Sequence, residues 1–121
     1  MKKKNYRGVQ CVKQSLSKCK GVCRTYSKIH TAYVVLLQED PEIVTFQCNV
    51  PLIGVEEDLY SSDIVAVKQD GSTMVRECVW RKNLSRPTTA RLLDVSRNYW
   101  IAQGVEDWGI VIEKENSDES K

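Results

Sequence analysis

The chain reads as an α/β domain: a mixed four-stranded sheet with flanking helices, in the order helix, three strands, helix, strand. Three observations predict it. Apolar residues recur at helical spacing in two separate segments, from Ile29 to Leu37 and from Leu92 to Trp100. Between them lie stretches of strand composition punctuated by Pro51 and by Asp70-Gly71. A last short strand pattern, Trp108 to Ile112, comes after Gly104.

Each element has its own local reason. In the first helix Ile29, Ala32, Tyr33, Leu36 and Leu37 share a side, Ser27 can cap the start, and Asp40-Pro41 stops it after about three turns. Glu42 to Val50 has strand composition and runs into Pro51. The next stretch, up to Ser62, carries Gly54 and the acids Glu56, Glu57 and Asp58, and reads as a loop. Asp63 to Lys68 and Ser72 to Trp80 form a hairpin. Pro87 suits a first helical turn, after which Leu92, Leu93, Ser96, Tyr99, Trp100 and Gln103 line one side and Gly104 closes the helix.

The hairpin carries the chemistry, and its register depends on Gly71. A three-residue loop, Gln69-Asp70-Gly71, with Gly71 in the left-handed conformation of a type I turn plus G1 bulge, pairs Lys68 with Ser72 and so Asp63 with Glu77. Opposed Cβ atoms lie about 4.5–5.5 Å apart, so two acids placed this way repel unless a cation or a proton neutralises them. A two-residue Asp70-Gly71 turn slips the register by one and sends the acids to opposite faces. The hairpin alone leaves both open; the order of the surrounding elements favours the first.

Three segments sharpen this into a resemblance: Ser61-Ser62-Asp63, Arg76-Glu77-Cys78-Val79, and Arg97-Asn98-Tyr99-Trp100 followed by Asp107-Trp108-Gly109-Ile110-Val111. On these the chain resembles, over roughly residues 26 to 115, the nuclease domain of TnsA-type proteins, the endonuclease subunits of heteromeric transposases. They belong to the PD-(D/E)xK, or restriction-endonuclease-like, superfamily. The resemblance implies a restriction-endonuclease-like fold, DNA as substrate, a transposase partner subunit, and Mg²⁺ or Mn²⁺ held by Asp63 and Glu77. It also implies a Lys two residues after Glu77 and an acid on the first helix, but Val79 and His30 stand at those positions. A valine can neither orient water nor stabilise developing charge, so hydrolysis would need a substitute cation. Arg81 shares the face of Glu77 two residues beyond Val79, roughly 7 Å further along a strand, whereas Lys82 and Lys68 have the wrong parity. His30 could ligate metal as a neutral imidazole. The expected function is a DNA endonuclease-like subunit of a transposition or recombination system, or else a non-catalytic DNA-binding or partner subunit that keeps the fold.

Charge supports DNA as a partner. The first 38 residues hold nine Lys or Arg and no acid, and the remainder nine against sixteen, so a +9 leader precedes a −7 body. Lys2, Lys3, Lys4, Arg7, Lys13, Lys18, Lys20 and Arg24, interleaved with Tyr6 and Tyr26, have the composition of a phosphate-binding segment. Arg76, Lys82 and Arg86 could hold phosphates near the acids. This divides the chain into a basic arm (1–25), a nuclease-like domain (26–115) and an acidic tail (116–121). Deleting residues 1 to 24 is then expected to weaken DNA binding without unfolding the domain.

Five cysteines is an odd number, and Cys48 and Cys78 fall in strands, where a buried thiol is ordinary. Cys11, Cys19 and Cys23 with His30 could make a Cys₃His zinc site, but the spacings are not paired CxxC knuckles and argue against zinc. No stretch approaches a membrane span and the N-terminus lacks the apolar run of a signal peptide, so a cytoplasmic protein with reduced thiols is expected.

Overall fold

The computed structural model describes residues 11–53 and 61–113. Its elements are β1 (Val12–Gln14), β2 (Cys23–Thr25), α1 (Lys28–Glu39), β3 (Ile43–Pro51), β4 (Ser61–Lys68), β5 (Thr73–Cys78), a 3₁₀ turn (Arg81–Asn83), α2 (Pro87–Ala102) and β6 (Asp107–Val111). From α1 onward this is the predicted order. Strands β3 to β6 form one mixed sheet in sequence order, with β3–β4 and β4–β5 antiparallel and β5–β6 parallel. The parallel pair follows from α2, which carries the chain back across the sheet before β6 begins.

The helix ends are those the sequence marks. Ser27 Oγ accepts the His30 N–H at 3.1 Å and caps α1, and Asp40 ends it. Gly104, at φ 90°, closes α2 in a Schellman arrangement: Val105 N–H donates to Trp100 O and Gly104 N–H to Ile101 O. Along β4 and β5 the alternation separates two faces. Ile64, Ala66 and Met74 join Val34 and Leu37 of α1 and Phe46 of β3 in the hydrophobic core. The opposite face is covered by α2, whose Ser96 reaches Glu77 of β5.

One segment departs from expectation. Residues 11–25, read as part of a basic arm separate from the domain, fold onto the sheet as the β1–β2 hairpin, with Val12 opposite Thr25 and Gln14 opposite Cys23. Its connecting turn is stitched to β3: Phe46 N–H donates to Lys18 O, Lys20 N–H donates to Phe46 O, and Cys19 forms a bridge with Phe46. The reason is apolar burial. Cys19 and Cys23 lie in the core cluster with Leu16 packed against it, while Lys13, Lys20 and Arg24 stay exposed. Removing residues 1 to 24 would therefore take two core side chains with it, so the expected harmless deletion does not hold. Lys2, Lys3, Lys4 and Arg7, the acids at 56 to 58, and the tail at 116–121 lie outside the described residues. Among the described residues no helix is long and apolar enough to cross a membrane.

Candidate functional site

Gly71 takes φ 87°, Lys68 N–H donates to Ser72 O and Gly71 N–H to Lys68 O, both at 2.9 Å, and Asp70 Oδ1 accepts from the backbone and hydroxyl of Ser72. This is the three-residue loop. The ladder then runs Val67 with Thr73, Ala66 with Met74, Val65 with Val75 and Ile64 with Arg76. One step further, Asp63 and Glu77 come together, both buried, at 4% and 0% exposure.

Beyond Ile64 and Arg76 the β4–β5 pairing ends, and the two carboxylates take over its hydrogen bonds. Asp63 N–H donates to Glu77 Oε1 at 3.1 Å, and Cys78 N–H donates to Asp63 Oδ2 at 2.8 Å. Each acid thus accepts a backbone donor from the opposite strand. Ser96 of α2 adds its hydroxyl to Glu77 Oε2 at 2.7 Å. Around Ser96 the α2 and β6 indoles close the network: Trp108 Nε1 donates to Ser96 Oγ and Trp100 Nε1 to Ser62 Oγ, both at 2.9 Å. The sequence suggests Ser96, Trp100 and Trp108 only as a helix face and a motif; their convergence on Glu77 comes from the parallel β5–β6 register, which sets Trp108 beside Val75. The acid pair consequently has a structural role, tying the open end of the hairpin to α2.

His30 is buried in the first turn of α1, where its N–H is held by Ser27. Val79 continues the β5–β6 ladder by donating to Val111 O. Arg81 does not extend β5, because the strand stops at Cys78; it opens the 3₁₀ turn, exposed, with its N–H on Glu113 Oε1 at 2.7 Å. Arg76, expected to hold phosphate, instead binds the start of β6: Nη2 meets Asp107 Oδ1 at 2.7 Å and Nη1 donates to Val75 O and Asp107 O. Lys68 Nζ completes this pair at 2.6 Å from Asp107 Oδ2. The Lys68 and Arg76 hydrogen bonds hold the Asp107 carboxyl below the usual range. Lys18 Nζ donates to Asp40 O just past α1, whereas Lys13, Lys20, Arg24, Lys82 and Arg86 remain exposed.

A second group assembles on the α1 side of the sheet. Cys19, Cys23 and Cys48 bring their sulfur atoms within 4.8 Å of one another, with Cys23 and Cys48 at 3.5 Å. Such a cluster could hold a metal, and thiolates select zinc over magnesium. Burial first, then the neighbouring Cys23, pushes the Cys19 thiol up to about 11, and burial raises Cys48 as well. The set differs from the one the sequence suggests: Cys48 of β3 joins, and exposed Cys11 does not. The strand pattern of Glu42 to Val50 puts Cys48 on the same side as Phe46, the only sequence signal that could have found it. Compared with known proteins, the chain matches no family model, and no curated protein matches it.

Proposed function

We propose that the chain is a DNA endonuclease-like subunit of a transposition or recombination system, with a restriction-endonuclease-like fold and a reduced metal-dependent cleavage site. One observation carries the reading: two buried carboxylates, Asp63 and Glu77, juxtaposed where two central strands part in a helix, three-strand, helix, strand unit. Asp63 and Glu77 would hold Mg²⁺ or Mn²⁺, and His30 stands where the resemblance expects a third ligand. The donors fit in kind, because these ions take oxygen ligands and both side chains are carboxylates. When bound, the ion supplies charge stabilisation and lowers the pKa of a coordinated water. Ser96 and the Cys78 N–H fix the two carboxylates in place. Val79 offers no cation to a developing charge, so Arg81, or a group from a partner subunit, must supply it.

A second reading, a DNA-binding or partner subunit that does not cut, is favoured by the same hydrogen bonds. They give both acids a structural reason to be present without catalysis. Supercoiled-plasmid nicking separates the two. Wild type, Glu77→Gln and Val79→Lys are compared in Mg²⁺, Mn²⁺ and chelator, with cation binding measured in parallel. We expect slow Mn²⁺-dependent nicking by wild type, its loss in Glu77→Gln, and an increase in Val79→Lys. No nicking by any variant, together with no cation binding, would leave the non-cutting subunit.

A further inference from the structure

We propose that Cys19, Cys23 and Cys48 form a structural zinc site that fastens the β1–β2 hairpin to β3. The three thiols come from three separate pieces of backbone, the hairpin turn, β2 and the centre of β3, yet converge within 4.8 Å. Three thiolates around tetrahedral zinc at about 2.3 Å stand roughly 3.8 Å apart, so the observed separations, 3.5 Å for Cys23 and Cys48 and within 4.8 Å for all three, need only small adjustments. Packing alone accounts for a buried thiol but gives no reason for three sulfurs to face one another. A disulfide would use two and leave the third.

Two neighbours fit a metal-bound state. Gln14 stands directly opposite Cys23 in the β1–β2 ladder, and its buried Nε2 has no hydrogen-bond acceptor among the described residues. A Cys23 thiolate within reach of that side chain would supply one. Zinc with three thiolates carries a net negative charge, and Lys13, Lys20 and Arg24 of the same hairpin offset it. A pocket of about 410 Å³, lined in part by Lys13, Gln14, Ser15 and Cys19, lies beside the cluster and could bring a water as a fourth ligand. On binding, each thiol that coordinates gives up its proton to solvent, and three S–Zn bonds form with no change of oxidation state. The site lies on the α1 face of the sheet, so it stands or falls independently of Asp63 and Glu77.

The full chain is purified without chelator and its zinc measured, then stripped under reducing conditions and titrated with Co²⁺ alone and with Zn²⁺ in competition. We expect one zinc per chain, a thiolate-to-cobalt charge-transfer band with the d–d absorption of a tetrahedral ion, and displacement of cobalt by zinc. Cys48→Ser and Cys23→Ser should lose the band; Cys11→Ser and Cys78→Ser should keep it. Should the first two fail to fold, alkylation of wild type with and without bound zinc decides, because zinc must slow the reaction of Cys19, Cys23 and Cys48 relative to the stripped protein while Cys11 reacts equally in both. Substoichiometric zinc with no cobalt band, an unchanged band in Cys48→Ser, or a Cys23–Cys48 disulfide in the reduced cytosolic preparation would each overturn the site.

Discussion

Glu77 shows how one side chain can look catalytic and act structurally. It accepts from Asp63 N–H and from the Ser96 hydroxyl in a fully buried position, so truncation removes both acceptors at once. Leaving buried donors unsatisfied costs about 1–3 kcal/mol. We therefore expect Glu77→Ala to lower unfolding stability by roughly 2–3 kcal/mol in urea melts, and Glu77→Gln, which keeps an oxygen in place, to lose clearly less. Equal losses would show that the hydrogen bonds to Asp63 and Ser96 do not matter. Asp107 gives a pH signature of its own. Its folded-state pKa is depressed, chiefly by the Lys68 hydrogen bond and then by Arg76, so its contribution is present above the unfolded value of 3.8 and fades as pH falls through the lower folded value. Asp107→Asn should lower stability modestly above about pH 4, the carboxylate being about one-third exposed, and its curve should converge with wild type as pH falls below that, which flattens the acid limb. A pH series of thermal melts on both proteins checks it; parallel curves would refute the assignment.

At the scale of elements, the β4–β5 hairpin decides whether the two acids meet at all. Gly71 holds φ 87° with open space where a Cβ would sit, so Gly71→Ala meets no clash and only conformational strain. The left-handed conformation costs an L-residue about 1–2 kcal/mol, and that is the loss expected in urea unfolding, with Gly71→Asn milder. Because the register is also held by core pairing of Ala66 with Met74 and Val65 with Val75, the slipped two-residue turn should not appear in Gly71→Ala. Cross-strand amide contacts by NMR report this directly, and contacts between Asp63 and Cys78 as ladder partners would contradict it. The β1–β2 hairpin works differently. Three residues per strand cannot stand alone, and its stability comes from burying Cys19 and Cys23 against β3.

For the whole molecule the question is whether the basic N-terminal part of the chain binds DNA, as proposed. Lys13, Lys20 and Arg24 are exposed on a hairpin fixed to the sheet, which makes them a built surface within the described residues. Each phosphate contact contributes about 0.9 to the slope of log affinity against log salt. Replacing these three residues by Ala should lower both duplex affinity and salt slope without unfolding the domain, which deletion of residues 1 to 24 cannot do cleanly. Arg76→Ala should leave the slope unchanged, because its guanidinium is held by Asp107. Binding isotherms across a salt series decide both. An unchanged slope in the triple variant would take the hairpin out of the interface.

The sequence by itself determined the elements from α1 to β6, because their signals are local: Ser27 and Asp40 around α1, Pro87 and Gly104 around α2, and Gly71 with Asp70 in the turn. It offered two hairpin registers, and the structure selects the one that sets Asp63 and Glu77 side by side, with Gly71 at positive φ. It did not determine what those acids touch. The Ser96, Trp100 and Trp108 network depends on where α2 lies over the sheet and on the parallel β5–β6 register, both set by contacts between distant residues. The same holds for Arg76, drawn to Asp107 across 31 positions, and for the thiol cluster, where Cys48 meets Cys23 across 25. Charge composition made residues 11–25 look like an arm, but only the packed core has room for Cys19 and Cys23 inside while the cations stay in water. Burial of side chains far apart in the chain is a property of the tertiary structure, and no short window of sequence contains it.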